Sequence, residues 1–264
     1  MDNLQAQQKL IEWGLLEPPA DGKWGIQSKT ALQDFQSLCG IPPDGQIGKE
    51  TEKLLTVKSP LPLQLGTDLA SRIVRAMQKN NYFIAKGQRR YNIVYLEGCN
   101  ADGTINNDAP NQWNDRRIVF EVVSDKPQII GNWAATTEPG AHYTYQPMNP
   151  KGVARIAFGQ YKAWIVGDHK GHEALVQRGN ITVHRDLNKD FSRVGDRTDT
   201  GDSFGCNQHW GGDSATIERW SAGCLVGQSV QGHREFMLLI KKDRRYLADE
   251  QYKFMTAVLP GDKL

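Results

Sequence analysis

Apolar residues change their spacing once along this chain, and the change falls near residue 90. Before it the spacing is helical. Leu4, Leu10, Ile11 and Leu15 recur with polar residues between them, and Ala31, Leu32, Phe35, Leu38 and Cys39 follow at i, i+1, i+4, i+7 and i+8. Both patterns predict amphipathic helices. Asp21-Gly22 marks a turn, and Ser28 is placed to cap the second helix. The segment DGKWGIQSKTALQDF is then echoed by DGQIGKETEKLL, an internal repeat of a loop and a helix. Units this short cannot bury a core singly, so the repeat predicts one packed three-helix domain over residues 1–57. Residues 58–66, with two prolines and no period, read as a semi-stiff linker. Thr67 can cap a helix carrying Leu69, Ile73, Ala76 and Met77 on one stripe, which is expected to pack on the C-terminal domain.

From Tyr91 onward the period shortens towards two. NIVYL, RIVFEVV, PQIIGNW, VARIAF, YKAWIV, ALVQ and NITVHR are short β-type runs separated by Gly, Asp, Asn and Pro. Residues 101–115 read as a polar loop, 233–246 as a helix and 252–258 as a last strand. The expectation is therefore an α+β protein: a small N-terminal three-helix domain, a linker, and a β-rich domain over 67–264 with flanking helices.

Within the β-rich part, one stretch concentrates chemistry: SFGCNQHWGGDSATIERWSAGCLV, residues 203–226. A cysteine is a useful nucleophile as thiolate, and an imidazole nearby can take its proton. Cys224 is preceded by Ser221, Ala222 and Gly223, small residues suited to a tight turn that exposes the sulfur and aims backbone N–H groups at an oxyanion. FGCNQH reads as a short strand in which Asn207 and His209 share one face, Cys206 and Gln208 the other. Ser221 either donates to the histidine or shapes the turn. Trp210 and Trp220 either pack or wall the site. His169 or His184 is expected to line the cleft and orient substrate. A zinc site from His169, His172, His184 and Asp186 has no support from a spacing such as HExxH. Asp186-Leu-Asn-Lys-Asp190 begins like a calcium loop but lacks its glycine and distal glutamate, so a solvated turn is the better reading. Only Cys99 with His169 or His184 would give the reverse order of cysteine before histidine.

A histidine followed by Ser-x-Gly-Cys, with GQY, GDHKGHEALVQ, TVHRDLNKD, FGCNQHWGG and WSAGCLV around it, resembles the catalytic core of L,D-transpeptidase-like proteins in a divergent, endolysin-like branch, over roughly Tyr91 to Val258. The resemblance implies attack by the cysteine on an amide of a peptidoglycan stem peptide, with Cys224, His209, Ser221 and Gly223 catalytic and no metal cofactor. Two departures are visible. Eleven residues separate His209 from Ser221, and Val226 stands where the family has an arginine for a substrate carboxylate. Hydrolysis is therefore expected over crosslinking, with a transpeptidase or a non-catalytic wall-binding protein as alternatives. The N-terminal pattern DG-x-W/I-G, followed by a Thr-rich helix start and a Phe-Gln pair, resembles the three-helix peptidoglycan-binding domain. That resemblance implies a ligand surface near Asp21, Gly22, Trp24, Asp44 and Gly45.

Composition narrows the partners. Net charge is +2 over 264 residues, too little for a large nucleic-acid footprint. Four cysteines in a chain this long, without dense spacing, are expected to be free thiols. No apolar run approaches the roughly 20 residues that span a bilayer. MDNLQAQQKLIEWGLL has no basic start and no unbroken apolar run, unlike a secretory leader. The expectation is a monomer made in the cytoplasm, bound to bacterial peptidoglycan and to neither membrane nor nucleic acid. It would reach the wall by release during phage lysis.

Overall fold

The computed structural model describes residues 1–13, 15–16, 19–56 and 63–264. Most of the expected linker falls outside the described residues. Contacts divide the chain into two units: Met1–Arg90 with Glu121–Gln128, and Tyr91–Phe120 with Ile129–Leu264. The architecture is α+β, with helices first and a β-rich body after.

The first unit holds α1 (Asn3–Glu12), α2 (Ile26–Cys39), α3 (Lys49–Thr56) and α4 (Leu69–Lys79). Its core gathers the apolar stripes, with Ala6, Leu10, Leu32, Phe35 and Leu55 all but sealed from solvent. The sequence repeat becomes a repeated polar staple. Buried Gln7 donates from Nε2 to Asp21 Oδ1 and Ser28 Oγ, both at 2.9 Å, while its Oε1 accepts from the amides of Asp21 and Gly22. Buried Gln36 repeats this one copy later. It donates to Asp44 Oδ1 at 2.7 Å and Thr51 Oγ1 at 3.1 Å, and accepts from Gly45 N at 2.8 Å. Gly22 (φ 73°) and Gly45 (φ 71°) supply the left-handed backbone of each turn. Two expected caps move. Gly25, not Ser28, begins α2, because the Ser28 hydroxyl is held inside the staple. Asp68, not Thr67, caps α4 by accepting from Ser71 N.

The second unit is built on a closed barrel. Its strands are β1 (Asn92–Glu97), β2 (Asp115–Val123), β3 (Lys126–Thr136), β5 (Gly159–His169), β6 (His172–Gln177), β9 (Gln208–Trp210), β10 (Leu225–Gly227) and β11 (Phe254–Pro260), in spatial order 1-11-5-6-9-10-3-2. A second sheet orders β4 (Val153–Ile156), β7 (Ile181–Asp186) and β8 (Arg197–Gly201) as 4-7-8. Helices α5 (Ala141–Tyr145), α6 (Val230–Ile240) and α7 (Arg244–Ala248) complete it. The helix expected over 233–246 is thus two helices, broken where Asp243 caps the second. One apolar core runs from Ile93, Tyr95, Trp164 and Leu175 of the barrel through Ile156 and Val183 of the second sheet to Phe236 and Ile240 of α6.

Four acids and two arginines are also packed into this unit. Arg193 donates to both oxygens of Glu97 at 2.5 Å, Arg155 pairs with Glu138, and Asp115 accepts from Gly98 N and Thr137 N. Burial pushes Asp115 far above the carboxylate range and Glu138 up to about 7. Burial would also raise Glu97, but the Arg193 guanidinium holds it low. Glu97, Asp108 and Glu138 each bring an oxygen within 4.8 Å of the others. Among the described residues no helix is long and apolar enough to cross a membrane. None of the four cysteines forms a disulfide.

Candidate active site

Parallel pairing of β9 with β10 sets the site. The register matches Leu225 with Gln208 and Val226 with His209, so Cys224, one residue before β10, falls beside Asn207. Side chains alternate along a strand, which puts Cys224 and His209 on one face, offset by one pleat. Both line a cavity of about 460 Å³, with Trp210, His169, Lys170, Arg219 and Trp220 among its other walls. The expected alternation from Cys206 to His209 is present: Cys206 and Gln208 are buried, while Asn207 and His209 reach the same neighbour, His169.

The turn that presents the sulfur is fixed by Ser221 and Gly223. Ser221 is fully buried. Its hydroxyl donates to Cys224 O at 2.9 Å and accepts from Gly223 N at 3.2 Å. Of the two roles open to Ser221, the turn-shaping one is realised, since its hydroxyl is spent within the turn. Gly223 has φ 120°, and a Cβ there would lie 2.6 Å from the Ala154 carbonyl oxygen, so only glycine fits. Its N–H is occupied by Ser221, a correction to the expectation that Gly223 and Cys224 both offer amides to an oxyanion. The Cys224 N–H donates to no acceptor among the described residues. The half-buried thiol rests on the Gly205 carbonyl, Sγ to O 3.5 Å. Burial raises its pKa above the ordinary thiol value, against the Asn207 N–H and the Lys170 ammonium, which pull it down.

The imidazoles are ordered by hydrogen bonds that decide their tautomers. A carbonyl only accepts, so the 2.7 Å contact between His209 Nδ1 and Trp210 O puts the proton on Nδ1 and leaves Nε2 basic. Asn207 Oδ1 accepts from Gln177 N at 2.9 Å, which turns its Nδ2 donor towards His169 Nδ1, also at 2.9 Å. His169 therefore carries its proton on Nε2. Its ring stacks on that of His209, centroids 4.7 Å apart. Burial drives His209 down to about 4, helped by His169, Arg117 and Lys170 and opposed by the Trp210 carbonyl. At neutral pH the two are thus a neutral thiol and a neutral imidazole with Nε2 unprotonated.

Beneath the site lies Arg117, fully buried on β2. It donates to Tyr95 Oη at 2.6 Å, to His209 O at 3.0 Å and to His233 Nδ1 at 3.1 Å. Its acceptors are all neutral. The cation holds the His209 backbone in place and, with burial, pushes His233 down to about 3. Arg117 has no role in the sequence beyond a place in RIVFEVV, because its partners come from three separate segments.

The expected site residues divide as follows. Cys224, His209, His169 and Trp210 share the cavity. His184 does not: it lies on β7 in the second sheet, paired with Arg155 and Thr198, and does not line the cleft as expected. Asp186 accepts from Asp190 N and Phe191 N, spending its carboxylate on the turn. Asp21, Gly22, Trp24, Asp44 and Gly45 belong to the first unit, where, among the described residues, the two aspartates accept only bonds of their own staples. Tyr143 and Met148 are cavity residues outside every quoted motif, and Lys170, Phe204 and Arg219 lie inside quoted stretches that assigned them no role.

Residues 3–55 match the model of a putative peptidoglycan binding domain. No curated protein matches the chain. Among solved structures, the chain is similar to a fused Zn-dependent amidase/peptidase/peptidoglycan-binding domain-containing protein from Clostridium acetobutylicum. That likeness has 15% identity and a TM-score of 0.32, covering 97% of this chain and 94% of the other. It is also similar to an L,D-transpeptidase from Xylanimonas cellulosilytica, with 13% identity, a TM-score of 0.22, and coverage of 97% and 92%. At these scores neither likeness bears on the site.

Proposed function

We propose that the chain is a cysteine peptidase of peptidoglycan, hydrolysing an amide of the stem peptide while its N-terminal unit holds it on the wall. The observation that carries this reading is the committed Nδ1 proton of His209, in a cavity that also presents Cys224. As substrate enters, the thiol proton leaves the Gly205 carbonyl for His209 Nε2 and the sulfur attacks the amide carbon. The Cys224 N–H receives the oxyanion. His209 then returns the proton to the departing amine as the C–N bond breaks, leaving a thioester on Cys224. Water, deprotonated by the same imidazole, releases the acid and regenerates the thiol. Arg117 keeps the His209 backbone in place throughout and favours the neutral ring between proton transfers. Tethering through the N-terminal unit raises the effective concentration of an insoluble substrate. As a lysin, the enzyme clears a suspension of walls.

The test is digestion of purified sacculi followed by mass spectrometry of the muropeptides. The proposal expects shortened or separated stems with wild-type enzyme and none with Cys224→Ala. New stem-to-stem links would select the transpeptidase instead. An unchanged profile, with Cys224 inert to a thiol-alkylating probe at neutral pH, would leave a wall-binding protein.

A further inference from the structure

A second cavity, of about 730 Å³, opens elsewhere on the β-rich unit and has a different chemistry. Asn107, Gln112, Trp113, Asn114 and Gln228 line it, and Arg116 is its one charged wall residue. That arginine is already engaged, donating to Asn132 Oδ1 at 2.8 Å and Asn132 O at 3.2 Å. The exposed amides of Asn107 and Gln112, on either side of the loop tip, spend no side-chain hydrogen bond on the protein among the described residues. The catalytic cavity is the opposite case. Lys170 and Arg219 stand on its wall without ion pairs among the described residues, and its Glu173 is neutralised by Lys241 at 2.7 Å.

We infer that this second groove binds an uncharged, hydroxyl-rich ligand: the amino-sugar glycan of the same polymer whose acidic stem enters the catalytic cavity. A side-chain amide offers a donor and an acceptor side by side, the pairing that vicinal hydroxyls and N-acetyl groups require. An indole supplies an apolar wall for the carbon face of a sugar ring. The groove's one cation already has two of its nitrogens on neutral Asn132 oxygens, which leaves a carboxylate-bearing stem less to pair with than Lys170 and Arg219 offer in the catalytic cavity. The volume falls within the ~300–1,000 Å³ of small-ligand clefts.

One loop walls both cavities. Between Gly211 and Trp220 the chain gives Ala215 to the groove and Arg219 and Trp220 to the catalytic cavity. Asn111 pins this loop, accepting from Ile217 N at 3.2 Å and from Glu218 N at 2.8 Å. Gly211 lies so close to the Trp113 ring that a Cβ would fall 2.3 Å from it. A glycan in the groove therefore sits against the segment that joins His209 to the Cys224 turn. The inference rests on the peptidoglycan reading for the identity of the sugar, and on none of the cysteine chemistry.

The test is titration of the full-length Cys224→Ala protein with a β-1,4-linked N-acetylglucosamine tetramer, read by calorimetry. Saturable binding is expected. It should weaken about tenfold in the Asn107→Ala/Gln112→Ala double variant, whose two substitutions are on exposed side chains and should leave the Tm unchanged. A free stem peptide should not compete. Absence of binding, binding undiminished in the double variant (which would place the sugar on the N-terminal unit), or displacement by the stem peptide would each overturn the inference. Lysis by Cys224→Ala would refute the cysteine mechanism and leave this titration interpretable.

Discussion

The two Gln-Asp-Gly staples and the Ser221–Cys224 turn are both small polar networks around glycines, and they differ in what they leave over. In each staple a buried glutamine, an aspartate, two or more backbone amides and a hydroxyl satisfy one another within one unit. Buried polar groups that are fully paired hold a fold and offer nothing to a ligand. The Ser221–Cys224 turn and its neighbour His209 keep a surplus among the described residues: the Cys224 N–H, the basic Nε2 of His209 and a thiol on a long contact. Beneath it a buried cation is met only by neutral acceptors. The difference teaches how to tell a structural polar network from a chemical one: count the groups left unspent and ask whether they face a cavity.

The comparison can be broken at several points. The largest effect is expected from Gly223→Ala. The new methyl meets the Ala154 carbonyl at a φ that L residues avoid. It should cost on the order of 2–3 kcal/mol and abolish turnover of soluble muropeptides, measured by thermal unfolding and by product release. Next is Arg117→Met, which leaves Tyr95 Oη and His209 O without their donor. A loss of about 3 kcal/mol is expected, with kcat falling more than KM rises. Gln36→Leu should destabilise the N-terminal unit by about 2 kcal/mol and weaken sacculus binding, while turnover of a soluble stem peptide stays at wild-type level. That split between wall binding and soluble turnover would sharpen the contrast directly.

The smallest expected effect is in pH. The general base must be neutral, and burial sets His209 at about 4. The acid limb of kcat/KM should therefore fall near pH 4, not near the ~6.5 of an ordinary imidazole. In whatever activity Arg117→Met retains, the limb should move upward, because a removed cation makes the imidazolium easier to form. The same depression has a stability sign. The unfolded chain takes up protons at His209 and His233 near pH 6.5 and the native one does not until about 4 and 3. Their contribution is present above pH 6.5 and shrinks as pH falls to those values. Histidine NMR titration checks both statements.

The repeat was legible in the sequence because everything that builds it is local: Asp-Gly, a hydroxyl seven residues on, and an apolar stripe. Strands β5, β6 and β7 were legible as β-type runs bounded by turn residues, again a local signal. Strands β8 and β10 were not. The first is the polar RTDTG, and the second is three residues hidden behind the SAGC turn. At the site, the His–Cys pair was readable from Ser-Ala-Gly-Cys and an upstream strand histidine. Arg117 was not, nor was the exclusion of His184, since both depend on which sheet a strand joins. The Gly223 amide misled because the sequence cannot show that Ser221 claims it.

The account stands or falls on a thioester at Cys224. Mixing the enzyme with a soluble stem peptide, quenching in acid after milliseconds and weighing the intact protein would test it most directly. The account predicts an adduct equal to the acyl part of the peptide, located on the Cys224-bearing fragment, absent in Cys224→Ala and slow to form in His209→Asn. Peptide cleavage by Cys224→Ala at the wild-type rate, with no adduct in either protein, would contradict it.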